Sequence, residues 1–282
     1  MPIHPYAIVS PQAELGRDVV IGPFCVIEPD AVLGDGCQLA SHVMIKRGSI
    51  LGSGNQVFEG AVIGGLPQHS HMPERPGTLT IGNDNVIREY CTLHRSLYQG
   101  SATELGNRNL LMVSAHVAHD CRVGDGVILT NGALLGGHVE VHDRAYVSGA
   151  AAVHQFCRIG RHAMVGGHAR VLKDVPPFVT VDGGTGMVVG LNSIGLQRAG
   201  FGPADMEQLK AAYRLIYRQG LIWHEVLDAL AREFPDGPAA EFLRFFSAGT
   251  RGFTPERRSP PGATIKLHRA TQPGVDYSTK VG

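Results

Sequence analysis

The chain has 282 residues, enough for one large domain or two modest ones, and its 25 basic and 25 acidic residues cancel to a formal net charge of zero. That balance excludes an electrostatic footprint for nucleic acid or an anionic membrane, and no apolar run approaches the ~18 residues that a membrane span needs. The composition flags instead 37 glycines and 14 histidines, a histidine share that invites a search for a histidine-rich site. At the N-terminus, Met1-Pro2-Ile3-His4-Pro5 has neither a basic start nor an apolar core, so no signal peptide is expected. The cysteines, Cys25, Cys37, Cys91, Cys121 and Cys157, are odd in number and form no CxxC pair. They read as reduced, buried thiols of a cytoplasmic protein.

From Val9 the chain repeats. Every sixth residue up to Val171 is aliphatic except His69, Arg75 and Gln99. Gly, Asn or Asp often follows, as in Leu33-Gly34-Asp35-Gly36 and Val123-Gly124-Asp125-Gly126. A period of six is neither helical nor a strand alternation. It predicts a solenoid of short strands with a corner every six residues, three strands closing a triangular coil of about 18 residues. The aliphatic points inward and stacks on its equivalent in the next coil, so stability accumulates repeat by repeat. Corner Gly and Asn supply positive φ at low steric cost. About ten such coils fit residues 3–185, within a first domain of residues 1–185. The phase breaks at 64–80 and 95–104 predict two external loops. The first is expected to be functional, since it carries His69 and His71.

The longest unbroken run holds His116-Val117-Ala118-His119-Asp120-Cys121. One coil on from His119 stands Gly137, with His138 beside it; two coils on stands Gln155, beside His154. The repeat therefore stacks scattered residues into one patch. A neutral imidazole can take a proton near neutral pH. Asp120 could orient it or merely bond its own corner backbone, and a glycine lets a backbone N–H approach a developing oxyanion. These are parts suited to acyl transfer.

After Val171 the pattern changes. Lys173-Asp174-Val175-Pro176-Pro177-Phe178 ends the coils, two prolines stopping continuation. Residues 186–252 are predicted as a helical domain. A helix beginning at Pro203 and ending by Gly220 carries Met206, Leu209, Tyr213, Ile216 and Tyr217 on one face. Two more run about 222–234 and 238–247. Residues 253–282 lack periodicity and are expected to be disordered.

Taken together, His116 to Cys121, Gly136-Gly137-His138-Val139, Ala152-Val153-His154-Gln155-Phe156, Asp174 to Phe178 and Ala212 to Arg218 resemble the UDP-N-acetylglucosamine acyltransferases over about residues 3 to 250. The resemblance implies an all-β solenoid plus α: a left-handed parallel β-helix of hexapeptide repeats, against the usual right-handed crossover, with a C-terminal helical domain. It implies an acyl-carrier-protein-dependent acyltransferase of lipid A biosynthesis with a sugar-nucleotide acceptor, a homotrimer with sites between neighbouring subunits, and no cofactor or metal. His119 would be the general base and Gly137 the oxyanion donor. His116, His138, His154 and Gln155 would hold the acceptor and the thioester arm. Gln68, Asn192 and Arg198 would contact the acceptor, and Gly167 would help set acyl length, leaving room for a longer chain.

The sequence departs from that family at four acceptor positions. His69 and His71 stand where Asp and Lys are expected, Ile194 where Glu is, and Ala199 where Arg is. Neither an isoleucine nor an alanine side chain can hydrogen-bond a nucleotide. The alternative expectation is therefore the same transfer onto a different acceptor, an amino-sugar nucleotide or a non-nucleotide hydroxyl or amine compound. Two rivals differ in class: a catalytically silent scaffold, which the retained histidines oppose, and a zinc-dependent hexapeptide-repeat carbonic anhydrase, which calls for two histidines five apart that this chain lacks.

Overall fold

The computed structural model of the chain describes residues 3–257. Most six-residue units give a two-residue strand and a corner. The strands pair in parallel with their counterparts in the next coil and build three faces. Face one has nine strands, from Ile8–Val9 to Arg170–Val171; face two has eight, from Glu14–Leu15 to Arg158–Ile159. Face three has ten, from Val20–Ile21 through Val179–Val181, ending on the antiparallel Val188–Leu191. The architecture is a left-handed parallel β-helix with a helical C-terminal part.

The predicted inward column is the core. Ile21, Ile63, Val117, Leu135 and Val165 are buried, whereas Val9 and Leu15 at the open end are only partly covered. Burying each such side chain is worth about 1.5–3 kcal/mol, and here that gain comes only from stacking on the coils above and below. Register explains why the phase survives both interruptions. Ile45 pairs with Ile63 across one ordinary coil of three repeats. Ile63 pairs with Leu93 across a coil enlarged by two repeats, and Leu93 with Val117 across a coil enlarged by one. The insertions are thus whole numbers of repeats, and the inward aliphatics stay in step.

Both loops are shorter than the sequence predicts. Strands Val62–Gly65 and Thr78–Ile81 bracket residues 66–77 rather than 64–80. Strands Thr92–His94 and Ala102–Leu105 bracket 95–101 rather than 95–104. At each foot the chain leaves the aliphatic phase while its backbone still pairs with the adjacent coil. Corner glycines also work differently from the prediction. Except for Gly64, the glycine just after an inward aliphatic has no positive φ; a Cβ on Gly34 would stand 2.5 Å from the carbonyl carbon of Gly52 in the next coil. Positive φ falls two residues later, on Gly36 and Gly126 but equally on Asp120, His138 and Phe156.

Past Val181 the chain turns back as Val188–Leu191, so face three extends beyond the expected domain boundary at 185. Among the described residues four helices follow: α1 Ser193–Arg198, α2 Pro203–Arg218, α3 Trp223–Glu233 and α4 Ala240–Ser247. The last three match the predicted ones. α1 is an addition, too short for a periodic face to announce it; Asn192 caps it by accepting the Gly195 N–H at 3.2 Å. The start of the expected disordered tail is also corrected. Phe253 bridges to Asp174, Glu256 to Val188, and the Tyr213 hydroxyl donates to Glu256 at 2.7 Å. Residues far away in sequence supply that order, so local composition could not reveal it. The rest of that segment, 258–282, lies outside the described residues. Among the described residues no helix is long and apolar enough to cross a membrane.

Candidate functional site

The corner between face one and face two concentrates the unusual residues. It holds Ala118-His119-Asp120-Cys121 between His116–Val117 and Arg122–Val123, then Gly136 to Val139, then His154 to Cys157. Loops 66–77 and 95–101 leave from the same corner of the two coils beneath. Identical turns stacked on one edge thus bring both loops, His119, Gly137 and Gln155 into one column. The positive-φ residues of three successive turns are Asp120, His138 and Phe156.

His119 is 8% exposed, and its Nδ1 lies 2.8 Å from Asp120 Oδ2. The Asp120 carboxylate is fixed from below by the second loop: the Ser96 hydroxyl donates to Oδ1, and the Leu97 N–H donates to Oδ2 at 3.1 Å. The Asp120 N–H in turn donates to Thr103 Oγ1 at 2.7 Å. Burial pushes the Asp120 carboxyl upward, but Ser96, His119 and the Leu97 amide outweigh it and hold the group below the usual carboxylate range. It stays ionised beside the imidazole. A Cβ on Gly137 would stand 2.7 Å from His119 Cε1 and 2.9 Å from Nε2, so only glycine fits under the ring. Among the described residues, nothing accepts the Gly137 N–H. A base with an oriented ring and an open backbone donor beneath it can take a proton from a hydroxyl and stabilise an oxyanion.

Four further rings stand around the pair. His138 lies edge-on to His119 at 5.3 Å between centroids and stacks on Phe156 at 4.5 Å. His69, on the first loop, lies edge-on to His119 at 5.8 Å, with His71 6.0 Å beyond it. His138 is held below its ordinary pKa mainly by burial, with Asp120 opposing and His119 and His69 reinforcing. His116 sits on the outer side of its strand, its Nδ1 2.8 Å from Thr92 Oγ1. Burial and the neighbouring His94 push its pKa down to about 4, so it is neutral at physiological pH. A cavity of about 450 Å³ opens beside the column, lined by Tyr98, Asp120, Arg122, His138, Phe156 and Arg158 among others.

Other sequence-predicted residues lie elsewhere. Gln155 is exposed on the same column, and Gln68 is exposed on the first loop. His154 turns to Arg251, 3.3 Å away, outside the ring cluster. Asn192 donates to the His162 carbonyl at 3.0 Å and caps α1, so its amide is engaged at the corner between faces two and three. Arg198 is exposed on α1, as is Ile194, and Ala199 ends that helix. Gly167 lies at the third corner, between Met164–Val165 and Arg170–Val171. One chain therefore does not bring Asn192, Arg198 or Gly167 to His119.

Sequence reasoning misses Ser96, Leu97, Thr103 and His94. His94 is buried, and its Nδ1 meets the Leu66 carbonyl at 2.7 Å, holding the foot of the first loop. A signal for Ser96 exists: the second loop lengthens its coil by one repeat, and Ser96 stands one such lengthened coil before Asp120. Among the described residues, ligand-type atoms of His119, Asp120 and His138 lie within 4.8 Å of one another and could close on a metal ion. Yet His119 Nδ1 and both Asp120 oxygens are already engaged with each other, Ser96 and Leu97. That donor set suits an oriented base better than a cation.

Residues 174–254 match the family described as UDP N-acetylglucosamine O-acyltransferase, domain 2. Over 252 residues the chain is 51% identical to the acyl-[acyl-carrier-protein]–UDP-N-acetylglucosamine O-acyltransferase of Alkalilimnicola ehrlichii, covering 89% of this chain and 98% of the relative. It is 48% identical over 256 residues to the protein of the same name from Janthinobacterium sp. (strain Marseille), with the same coverage. In three dimensions it is similar to LpxA from Acinetobacter baumannii, with a TM-score of 0.87, 38% identity, and 90% of this chain and 100% of that one covered.

Proposed function

The chain belongs to the acyl-[acyl-carrier-protein]–UDP-N-acetylglucosamine O-acyltransferase family, and from that premise we propose how its corner column performs the reaction. It is an enzyme that moves an acyl chain from acyl carrier protein to UDP-N-acetylglucosamine, the first step of lipid A biosynthesis. The observation that carries the mechanism is the 2.8 Å bond from His119 Nδ1 to a pinned Asp120 carboxylate, with Nε2 left over the open N–H of Gly137. Asp120 keeps the proton on Nδ1, so Nε2 is the basic nitrogen. Nε2 takes the proton of the acceptor hydroxyl as its oxygen attacks the thioester carbonyl. The Gly137 N–H donates to the resulting oxyanion. Collapse expels the carrier thiolate, to which the imidazolium returns its proton. His138, His116 and Gln155 position the substrates, and His154, which faces Arg251, serves the thioester arm. The acyl chain is a 3-hydroxyacyl chain, with Gly167 leaving room for a long one.

A parallel homotrimer completes the site in this reading. Face one carries outward Val26, Val62 and Leu134 beside Thr92, His116 and Arg170, and face three carries Leu110, Ile128 and Met164 beside Gln38 and Gln56, whereas face two carries Glu104, Arg122, Glu140 and Arg158. Packing faces one and three of neighbouring copies together would bury their apolar side chains and would let Asn192, Arg198 and Gly167 of one copy approach His119 of another. Sedimentation at micromolar concentration should give a trimer; a monomer would overturn this part. We place the enzyme in the cytoplasm, in keeping with five buried, free cysteines.

A second reading, a changed acceptor preference, rests on Ile194, 66% exposed with no polar side-chain atom to offer, and on the loop histidines His69 and His71. One assay addresses both. With long-chain 3-hydroxyacyl carrier protein and UDP-N-acetylglucosamine, kcat/KM should reach roughly 10⁴ M⁻¹s⁻¹ or above; a far lower value, with faster turnover of another acceptor, would favour the second reading. In the same assay His119→Ala should lower kcat by roughly 10²–10⁴. An unchanged kcat would end the base assignment.

A further inference from the structure

Ser96 belongs to the second loop, not to the histidine column, and is fully buried. Its side chain and backbone face different structures. The hydroxyl donates to Asp120 Oδ1 at 2.5 Å, while its oxygen accepts the Tyr98 N–H at 3.1 Å. The backbone N–H donates to the Thr78 carbonyl at 3.0 Å, and the carbonyl accepts the Gly77 N–H at 2.9 Å. Gly77 and Thr78 form the far foot of loop 66–77, whose near foot is held by His94 at Leu66 and by the Arg95 N–H at Gly65. One three-residue segment, His94 to Ser96, therefore fastens both ends of the loop that lays His69 over His119. The same segment supplies a donor to the carboxylate that orients His119.

We propose that Ser96 is a positioning residue for the acyl transfer, the third member of a hydrogen-bonded chain Ser96–Asp120–His119, and that it couples the seating of loop 66–77 to the orientation of the base. The inference rests on the reading of His119 as the base. Asp120 has two oxygens and three donors around them: Ser96 on Oδ1, and Leu97 and His119 on Oδ2. With Ser96 in place, Oδ1 is engaged away from the ring and Oδ2 is presented to Nδ1, so the carboxylate cannot swing. The hydroxyl also draws charge toward Oδ1 and tempers the pull of Asp120 on the imidazolium. A serine bond to a buried carboxylate is charge-assisted and short, the strong class of hydrogen bond.

Without the Ser96 hydroxyl, Oδ1 loses its donor, the carboxylate is free to turn, and the ring of His119 loses its fixed orientation. Other groups face the pair: His138, 3.8 Å from Asp120 Oδ2, His69 over the His119 ring, His94 on the coil beneath, and Arg122 across the cavity. None of these side chains bonds the Ser96 hydroxyl, which meets Asp120 and the Tyr98 N–H.

The test is the measurement of kcat and KM for Ser96→Ala and Ser96→Cys in the full chain, with circular dichroism to confirm the fold. Ser96→Ala should lower kcat roughly ten-fold, well short of the 10²–10⁴ expected for the base itself, with KM nearly unchanged. Ser96→Cys keeps a weak donor and should fall between the alanine variant and the native protein. An unchanged kcat would overturn the proposal, as would a change confined to KM or a Ser96→Cys variant no more active than Ser96→Ala. His119→Ala, run alongside, separates the two readings. If it is silent, the base assignment fails; if it is inactive while Ser96→Ala is silent, only the role of Ser96 fails.

Discussion

Two corners of the same coil meet the same turn problem and solve it differently. In each, the second corner residue has an N–H that its own coil cannot satisfy. Between faces two and three, Asp35, Asn83, Asn107, Asp125 and Asp143 accept that N–H from Arg17, Ser53, Asn83, Asn107 and Asp125, at 2.8 to 2.9 Å. The side chain of one coil caps the backbone of the coil before it, and the corner becomes a ladder. Between faces one and two the corresponding residues in the upper coils are His119, Gly137 and Gln155. No carboxylate or amide oxygen closes the Gly137 N–H among the described residues. The difference teaches where chemistry can sit on a repeat: on the edge where the capping residue has been withdrawn and the turn donor left unspent.

That contrast can be broken at either corner. The largest effect should come from Gly137→Ala. A Cβ there would meet the His119 ring at 2.7 Å and force it off Asp120, while crowding the oxyanion position. We expect kcat to fall by about 10²–10³, as for loss of an oxyanion donor, with little change in thermal stability, since the ring can swing toward solvent. A variant with native kcat would show that the open glycine has no chemical role. The smaller effect belongs to the ladder. Asp125→Ala removes the acceptor for the Asn107 N–H, and should cost about 1 kcal/mol of stability, visible as a lower Tm, with kcat unchanged at a temperature where the protein stays folded. A loss of kcat instead would mean that the two corners do not divide structure from chemistry.

The site is legible in part, and for a physical reason. His119, Gly137 and Gln155 can be aligned from the sequence because from Leu105 to Ile159 every coil is three uninterrupted repeats, so a spacing in sequence is a position in space. Ser96 and Thr103 escape because they lie below an inserted repeat, where the count must be shifted. Asn192 shows what a motif leaves out. It resembles a nucleotide contact, and its amide also caps α1 and bonds the His162 carbonyl, a double engagement that no motif records.

By itself the sequence determined the β-helix, its inward aliphatic column, the two interruptions and the three long helices. Each of these follows from a short-range period, and a period needs no partner to be read. Only the tertiary structure decided how loop 66–77 is fastened, which donors pin Asp120, that Val188–Leu191 folds back onto face three, and that residues 253–257 pack beside Asp174 and Val188. Apart from the fold-back of Val188–Leu191, whose partners lie 7 to 12 positions away, those contacts join residues 18 or more positions apart across different units. Their strength comes from burial and hydrogen-bond geometry at the meeting point, and neither half of such a contact has a pattern of its own.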